Sequence, residues 1–101
     1  ELEPFSFKNL NNLEILILDA NKIDSLKPYL FTGLINLNSI SLIGNRLSQI
    51  KNSSFQDLKK LEKLDISLSQ INSIENDSFL DLINLKSLSL SNNQIKNIGQ
   101  F

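Results

Sequence analysis

Histidine, cysteine, tryptophan and methionine are all absent from the 101 residues of this chain. Without histidine it lacks the usual general base at neutral pH. Without cysteine it lacks a thiolate nucleophile, disulfides and the Cys/His ligand sets of zinc sites. Enzymatic activity is therefore not expected, nor is a metal or any other cofactor. An excess of charge of one sign is missing too: ten Lys and Arg stand against eleven Asp and Glu, for a formal charge of -1. That balance offers no electrostatic footprint for nucleic acid or an anionic membrane, so no nucleic-acid partner is expected. The longest unbroken apolar run, Ile15-Leu16-Ile17-Leu18, is far short of a membrane span, and no charged leader precedes an apolar stretch near Glu1. Direct membrane insertion by this segment is not expected. What is present is 41% hydrophobic and 21% charged residues, the composition of one folded domain with a core.

The apolar residues repeat. Aligning Leu13, Leu37, Leu61 and Leu85 reveals a period of 24 without insertion. The chain divides into a partial repeat over 1–12, full repeats over 13–36, 37–60 and 61–84, and a partial repeat over 85–101, one continuous array. Six further columns follow: Leu16/Ile40/Leu64/Leu88, Leu18/Leu42/Ile66/Leu90, Ile23/Leu47/Ile71/Ile95, Leu2/Leu26/Ile50/Ile74/Ile98, Phe7/Phe31/Phe55/Phe79 and Leu10/Leu34/Leu58/Leu82. The seven columns hold 29 of the 39 Leu, Ile and Phe residues, so the pattern reflects position and not a general taste for leucine.

An eighth column is polar: Asn21, Asn45, Ser69 and Asn93. A buried Asn amide brings two donors and an acceptor to backbone groups that a turning chain leaves unpaired, and stacked copies form a ladder. The shorter Ser69 hydroxyl does this less well, so the third coil is expected to turn with a distortion or a bridging water, as a local structural variant.

The pattern LxxLxLxxNxLxxI…FxxL, read over Leu13-Glu14-Ile15-Leu16-Ile17-Leu18-Asp19-Ala20-Asn21-Lys22-Ile23, resembles the leucine-rich repeat. Its period of 24, with Phe three residues before the closing Leu, is similar to the extracellular subclass of Toll-like receptors, Slit and the small leucine-rich proteoglycans. The resemblance covers nearly the whole chain. It implies an α/β leucine-rich repeat solenoid: a curved parallel β-sheet on the concave face, with loops and short helical turns on the convex face.

Elementary physics agrees with that architecture. Each LxxLxL segment alternates its apolar residues as a strand does, so strands are expected over 13–18, 37–42, 61–66 and 85–90, stacked in parallel. One coil cannot offset the ordering of its own backbone, so stability must come from contacts between coils. The Phe column is expected to stack as a convex spine. The segments 25–36, 49–60 and 73–84 are rich in Asn, Ser, Lys and Asp, which favours turns over long helices. Solenoids need covered ends, yet no cysteine-rich cap is present. Leu2, Phe5, Phe7 and Leu10 at one end, and Ile95, Ile98 and Phe101 at the other, would then face water. The chain is therefore expected to be a segment of a longer ectodomain, or one whose ends pack against something else.

Side chains between the inward leucines point out of the concave face and are free to specialise. In columns they read Ile15, Ser39, Lys63, Ser87; Ile17, Ser41, Asp65, Ser89; and Asp19, Ile43, Ser67, Ser91. Ile15, Ile17 and Ile43 are expected to form an apolar patch beside a serine-rich field, the pattern of a contact site. The carboxylates Asp19 and Asp65 stand two coils apart, roughly 10 Å by strand spacing, which suits ligand orientation and not acid-base chemistry. Two sequons, Asn52-Ser53-Ser54 and Asn76-Asp77-Ser78, occupy the same convex position and make Asn52 and Asn76 candidate N-glycosylation sites. With 14 Asn and 15 Ser and Thr, about that many sequons arise by chance, so they permit secretion without demonstrating it.

The expected function is a non-catalytic binding module of a secreted or cell-surface, receptor-like protein in signalling or immunity, holding a protein or glycan ligand on the concave face. The alternative is an adhesion or scaffold segment that self-associates, for instance as a homodimer.

Overall fold

The computed structural model describes residues 2–98, wound into coils that each advance by 24 residues. Seven short strands occur among them: β1 (Ile15–Ile17), β2 (Ser39–Ser41), β3 (Gln49–Ile50), β4 (Lys63–Asp65), β5 (Ser73–Ile74), β6 (Ser87–Ser89) and β7 (Asn97–Ile98). The strands β1, β2, β4 and β6 form one parallel sheet, and β3, β5 and β7 a second.

The strands of the first sheet are three residues long where the sequence pattern suggested six. The coil-to-coil ladder nevertheless runs past them. Leu18 N–H donates to Ser41 O at 2.8 Å, Leu42 N–H to Asp65 O at 2.8 Å and Ile66 N–H to Ser89 O at 3.0 Å. Ala20, Gly44 and Leu68 continue it by donating to Ile43, Ser67 and Ser91.

Two strands of the second sheet, β3 and β5, fall inside segments read from sequence as turns. Its strands have only two residues each, too few to show any periodicity, and exist because the coils above and below hold them in register. The rest of the convex side is built from single turns, such as Leu34 N–H to Phe31 O and Leu37 N–H to Leu34 O, both 3.2 Å. Among the described residues these do not extend into helix.

Burial follows the solenoid logic. In the middle coils Leu37, Ile40, Leu42, Leu61, Leu64 and Ile66 are closed off from solvent, whereas Leu13, Leu18, Leu85 and Leu90 in the flanking coils are half-buried. Within one column, Leu64 is 2% exposed and Leu88 is 39%. In that column the side chain flanked by a strand on both sides is closed off, and the one at the last strand is not. Leu2, Phe7 and Ile95 are half-buried against the core, while Phe5 and Leu10 are exposed. Phe101 lies outside the described residues, as does the side chain of Ile98.

The Phe column stacks as expected. Phe7, Phe31, Phe55 and Phe79 follow one another with centroids 6.2, 6.1 and 6.2 Å apart. The polar column works through Asn45. Its Oδ1 accepts from the backbone N–H of Asn21 and Ile23, both at 3.0 Å, and its Nδ2 donates to Leu18 O and Leu42 O. Asn93 repeats this with Ile71 N–H, Ile66 O and Leu90 O. Between them the Ser69 hydroxyl is buried and has no hydrogen-bond partner among the described residues.

Candidate ligand-binding face

The first sheet buries one row of side chains and presents the alternate rows outward, a direct result of the two-residue strand period. Its register sets the outward residues in straight rungs. Ile15, Ser39, Lys63 and Ser87 align across the four strands, and Ile17, Ser41, Asp65 and Ser89 align two residues further along.

Ile15 and Ile17 are 60% and 65% exposed, large apolar side chains left in water on a strand whose inward Leu16 is buried. Ile43, expected to complete their patch, is half-buried. Its backbone N–H donates to Asp19 Oδ1 at 2.9 Å, and Ser41 Oγ donates to the same oxygen at 2.6 Å. Asp19 thus reaches across one coil and braces the next strand end. Asp65 does a similar task within its own coil, where Oδ1 accepts from the Ser67 N–H at 3.0 Å and from the Ser67 hydroxyl. That engagement draws Ser67 inward. It is 8% exposed, which corrects its expected place among the outward residues.

The remaining members of the face are available. Lys63, Ser87 and Ser91 are exposed, and Ser39, Ser41, Asp65 and Ser89 are half-buried. Ser89 Oγ and Ser91 Oγ lie 3.3 Å apart. Lys63 forms no ion pair among the described residues, unlike Lys86, whose ammonium lies 3.5 Å from Glu62. Among the described residues no group of His, Cys, Asp and Glu is placed to hold a metal ion. The chemistry on offer is an apolar patch, a lone cation and a field of hydroxyls, which suits recognition.

On the convex side Asn52 and Asn76 are both exposed, as a modified asparagine must be. Asn52 is also fixed in place: Oδ1 accepts from the Asp77 N–H at 2.9 Å, and its own N–H donates to Glu75 Oε1 at 2.8 Å. Sequence reasoning did not anticipate these bonds between coils, nor those along the edge where the strands begin. There Asn36 Nδ2 donates to Asn11 O at 2.8 Å, Asn84 Nδ2 to Lys59 O at 2.7 Å, and Lys60 Nζ to Asn36 Oδ1 at 3.0 Å. The signal was present as a column of Asn12, Asn36, Lys60 and Asn84 at the same period.

A model of the leucine rich repeat family matches residues 1–47, 11–71 and 35–95. Among solved structures, that of a TLR13–ssRNA13 complex superposes with a TM-score of 0.88 at 42% identity. The match covers 96% of this chain and 13% of the other, so the chain spans a small part of that protein's length. No curated protein sequence matches.

Proposed function

The chain belongs to the leucine-rich repeat family, and from that premise we propose that it is a ligand-binding segment of a Toll-like-receptor-like ectodomain, secreted or at the cell surface. It binds without catalysis, and its ligand is a protein held on the concave face. The observation that carries this reading is the exposure of Ile15 and Ile17, neighbours on a strand whose intervening Leu16 is buried. Apolar surface kept in water beside a polar field is what a contact site has and what folding does not require. The Ser39–Lys63–Ser87 rung supplies donors that orient the ligand. Glycans on Asn52 and Asn76 project from the convex side and leave the concave face clear.

Single-stranded RNA is a second reading, favoured by the likeness to the TLR13–ssRNA13 complex. The concave face argues for protein. Lys63 shares it with Asp19 and Asp65, and no aromatic side chain stands in its columns to stack a base.

The test compares the chain with its Ile15→Ser/Ile17→Ser variant, each immobilised and exposed to extracellular fluid from the native source and to short single-stranded RNA. The reading expects a protein retained by the parent and lost from the variant. Retention of the same protein by both would move the site elsewhere. RNA bound by the parent, with no protein retained, would establish the second reading. Self-association is checked by sedimentation: a concentration-dependent dimer abolished in the variant would make the patch an interface between copies.

A further inference from the structure

Just beyond the concave strands each coil makes a left-handed turn, at Ala20, Gly44, Leu68 and Asn92, with φ of 55°, 72°, 56° and 57°. Glycine and asparagine tolerate that backbone, and alanine is small. Leu68 is the bulky member of the column, and its side chain is 54% exposed, so burial does not offset the strain. The backbone cannot relax away, because Leu68 N–H is bonded to Ser91 O at 2.9 Å. The next residue, Ser69, carries the buried hydroxyl that has no partner among the described residues. Two adjacent residues in one turn thus each depart from the pattern of their columns. Such local departures from an otherwise consistent pattern gather where a surface has been shaped for contact.

The neighbouring surface is open and charged. One coil back from Leu68, a Cβ added to Gly44 would meet nothing within 4 Å. Two residues further along the chain, Lys22 and Arg46 head the column Lys22/Arg46/Gln70/Gln94. Backbone bonds hold this column in register: Arg46 N–H donates to Ile23 O at 2.8 Å and Gln70 N–H to Leu47 O at 3.0 Å. Both cations are exposed, and neither side chain forms a hydrogen bond or ion pair among the described residues. Asp24, the nearest acid along the chain, is exposed and forms an ion pair with neither among the described residues. Adjacent like charges oppose each other unless something neutralises them.

We propose that this flank is a second docking surface, for an acidic protein segment whose aliphatic side chain packs on Leu68 over Gly44 while its carboxylates pair with Lys22 and Arg46. The surface lies past the strand ends and does not depend on the role given to the concave face. Charge complementarity selects an acidic partner. The lack of any aromatic side chain in the columns of Leu68 and Arg46 selects protein over single-stranded nucleic acid, which needs stacking platforms.

Fluorescence anisotropy tests this with three labelled probes: a peptide with one leucine flanked by Asp and Glu in a Gly/Ser background, the same peptide with Lys in place of the acids, and oligouridylate of equal length. The acidic peptide is expected to bind the chain at least about tenfold more tightly than the basic one. Leu68→Gly is expected to weaken it about tenfold while raising the melting temperature, a divergence that a merely structural role would not produce. Lys22→Ala/Arg46→Ala is expected to weaken it similarly and flatten its salt dependence, whereas Lys51→Ala/Lys59→Ala, which removes two exposed cations of the convex loop, leaves it unchanged. Equal affinity for the two peptides, no binding of any probe, or indifference to Leu68→Gly would overturn the proposal. Tighter binding of oligouridylate, lost in the Lys22/Arg46 variant, would overturn it in favour of RNA.

Discussion

The rings of Phe31 and Phe55 lie 6.1 Å apart and within 6° of parallel, and Phe79 continues the stack on the far side of Phe55. Phe55 is 1% exposed and is the largest of the fully buried side chains, so it joins two coil interfaces at once. Phe55→Ala should cost about 3 to 5 kcal/mol, because both neighbouring rings lose their partner and the cavity cannot collapse fully. Thermal unfolding by circular dichroism measures this. A variant that melts with the parent would mean that the coils are not held by this spine.

Asn45 and Ser69 stand 24 residues apart in the polar column, both buried, with opposite outcomes. Asn45→Ala should cost about 2 to 4 kcal/mol, since it strips partners from Asn21 N–H, Ile23 N–H, Leu18 O and Leu42 O together. Ser69→Asn should stabilise by about 1 to 2 kcal/mol by restoring the missing rung of the ladder. For a domain of this size that raises the melting temperature by at least about 4 °C. A lowered melting temperature would show that the third coil has closed around the smaller side chain.

Two glycines with positive φ separate strain from collision. A Cβ on Gly33, at φ of 98°, would lie 2.5 Å from Lys8 O, a backbone atom of the preceding coil that cannot swing aside. Gly44, at φ of 72°, has open space around it. Gly44→Ala should therefore cost only the left-handed strain, about 1 kcal/mol, and Gly33→Ala clearly more. Urea unfolding of the two variants decides it; equal midpoints would contradict the close approach of the coils at Gly33.

Ile15→Ser/Ile17→Ser should leave stability within about 0.5 kcal/mol of the parent, since neither side chain contributes to the closed core. Differential scanning calorimetry is the check. A fall in melting temperature of many degrees would assign these isoleucines to folding and remove the main support for a concave contact site.

Much of this was legible before any coordinates. The register of the first sheet is the sequence period itself, so Leu16, Ile40, Leu64 and Leu88 stand in line in both. The Asn ladder was legible because amide chemistry at a turn has few other uses. The second sheet was not, because two-residue strands leave no periodic trace. Ser67 was misplaced because its burial comes from a side-chain bond to Asp65, and strand alternation carries no information about such bonds. Bonds between coils, such as Asp19 to Ile43 or Asn52 to Asp77, join residues about one repeat apart in sequence, and become visible only once the coils are stacked.

The central claim is that stability resides in the inward columns and recognition in the outward rungs of the first sheet. Its most direct test is side-chain oxidation footprinting of the parent protein, free and saturated with the ligand captured by the concave face. The account predicts protection at Ile15 and Ile17, with unchanged reactivity at the exposed convex residues Leu80 and Ile83. Protection at Leu80 and Ile83, with Ile15 and Ile17 still reactive, would contradict it.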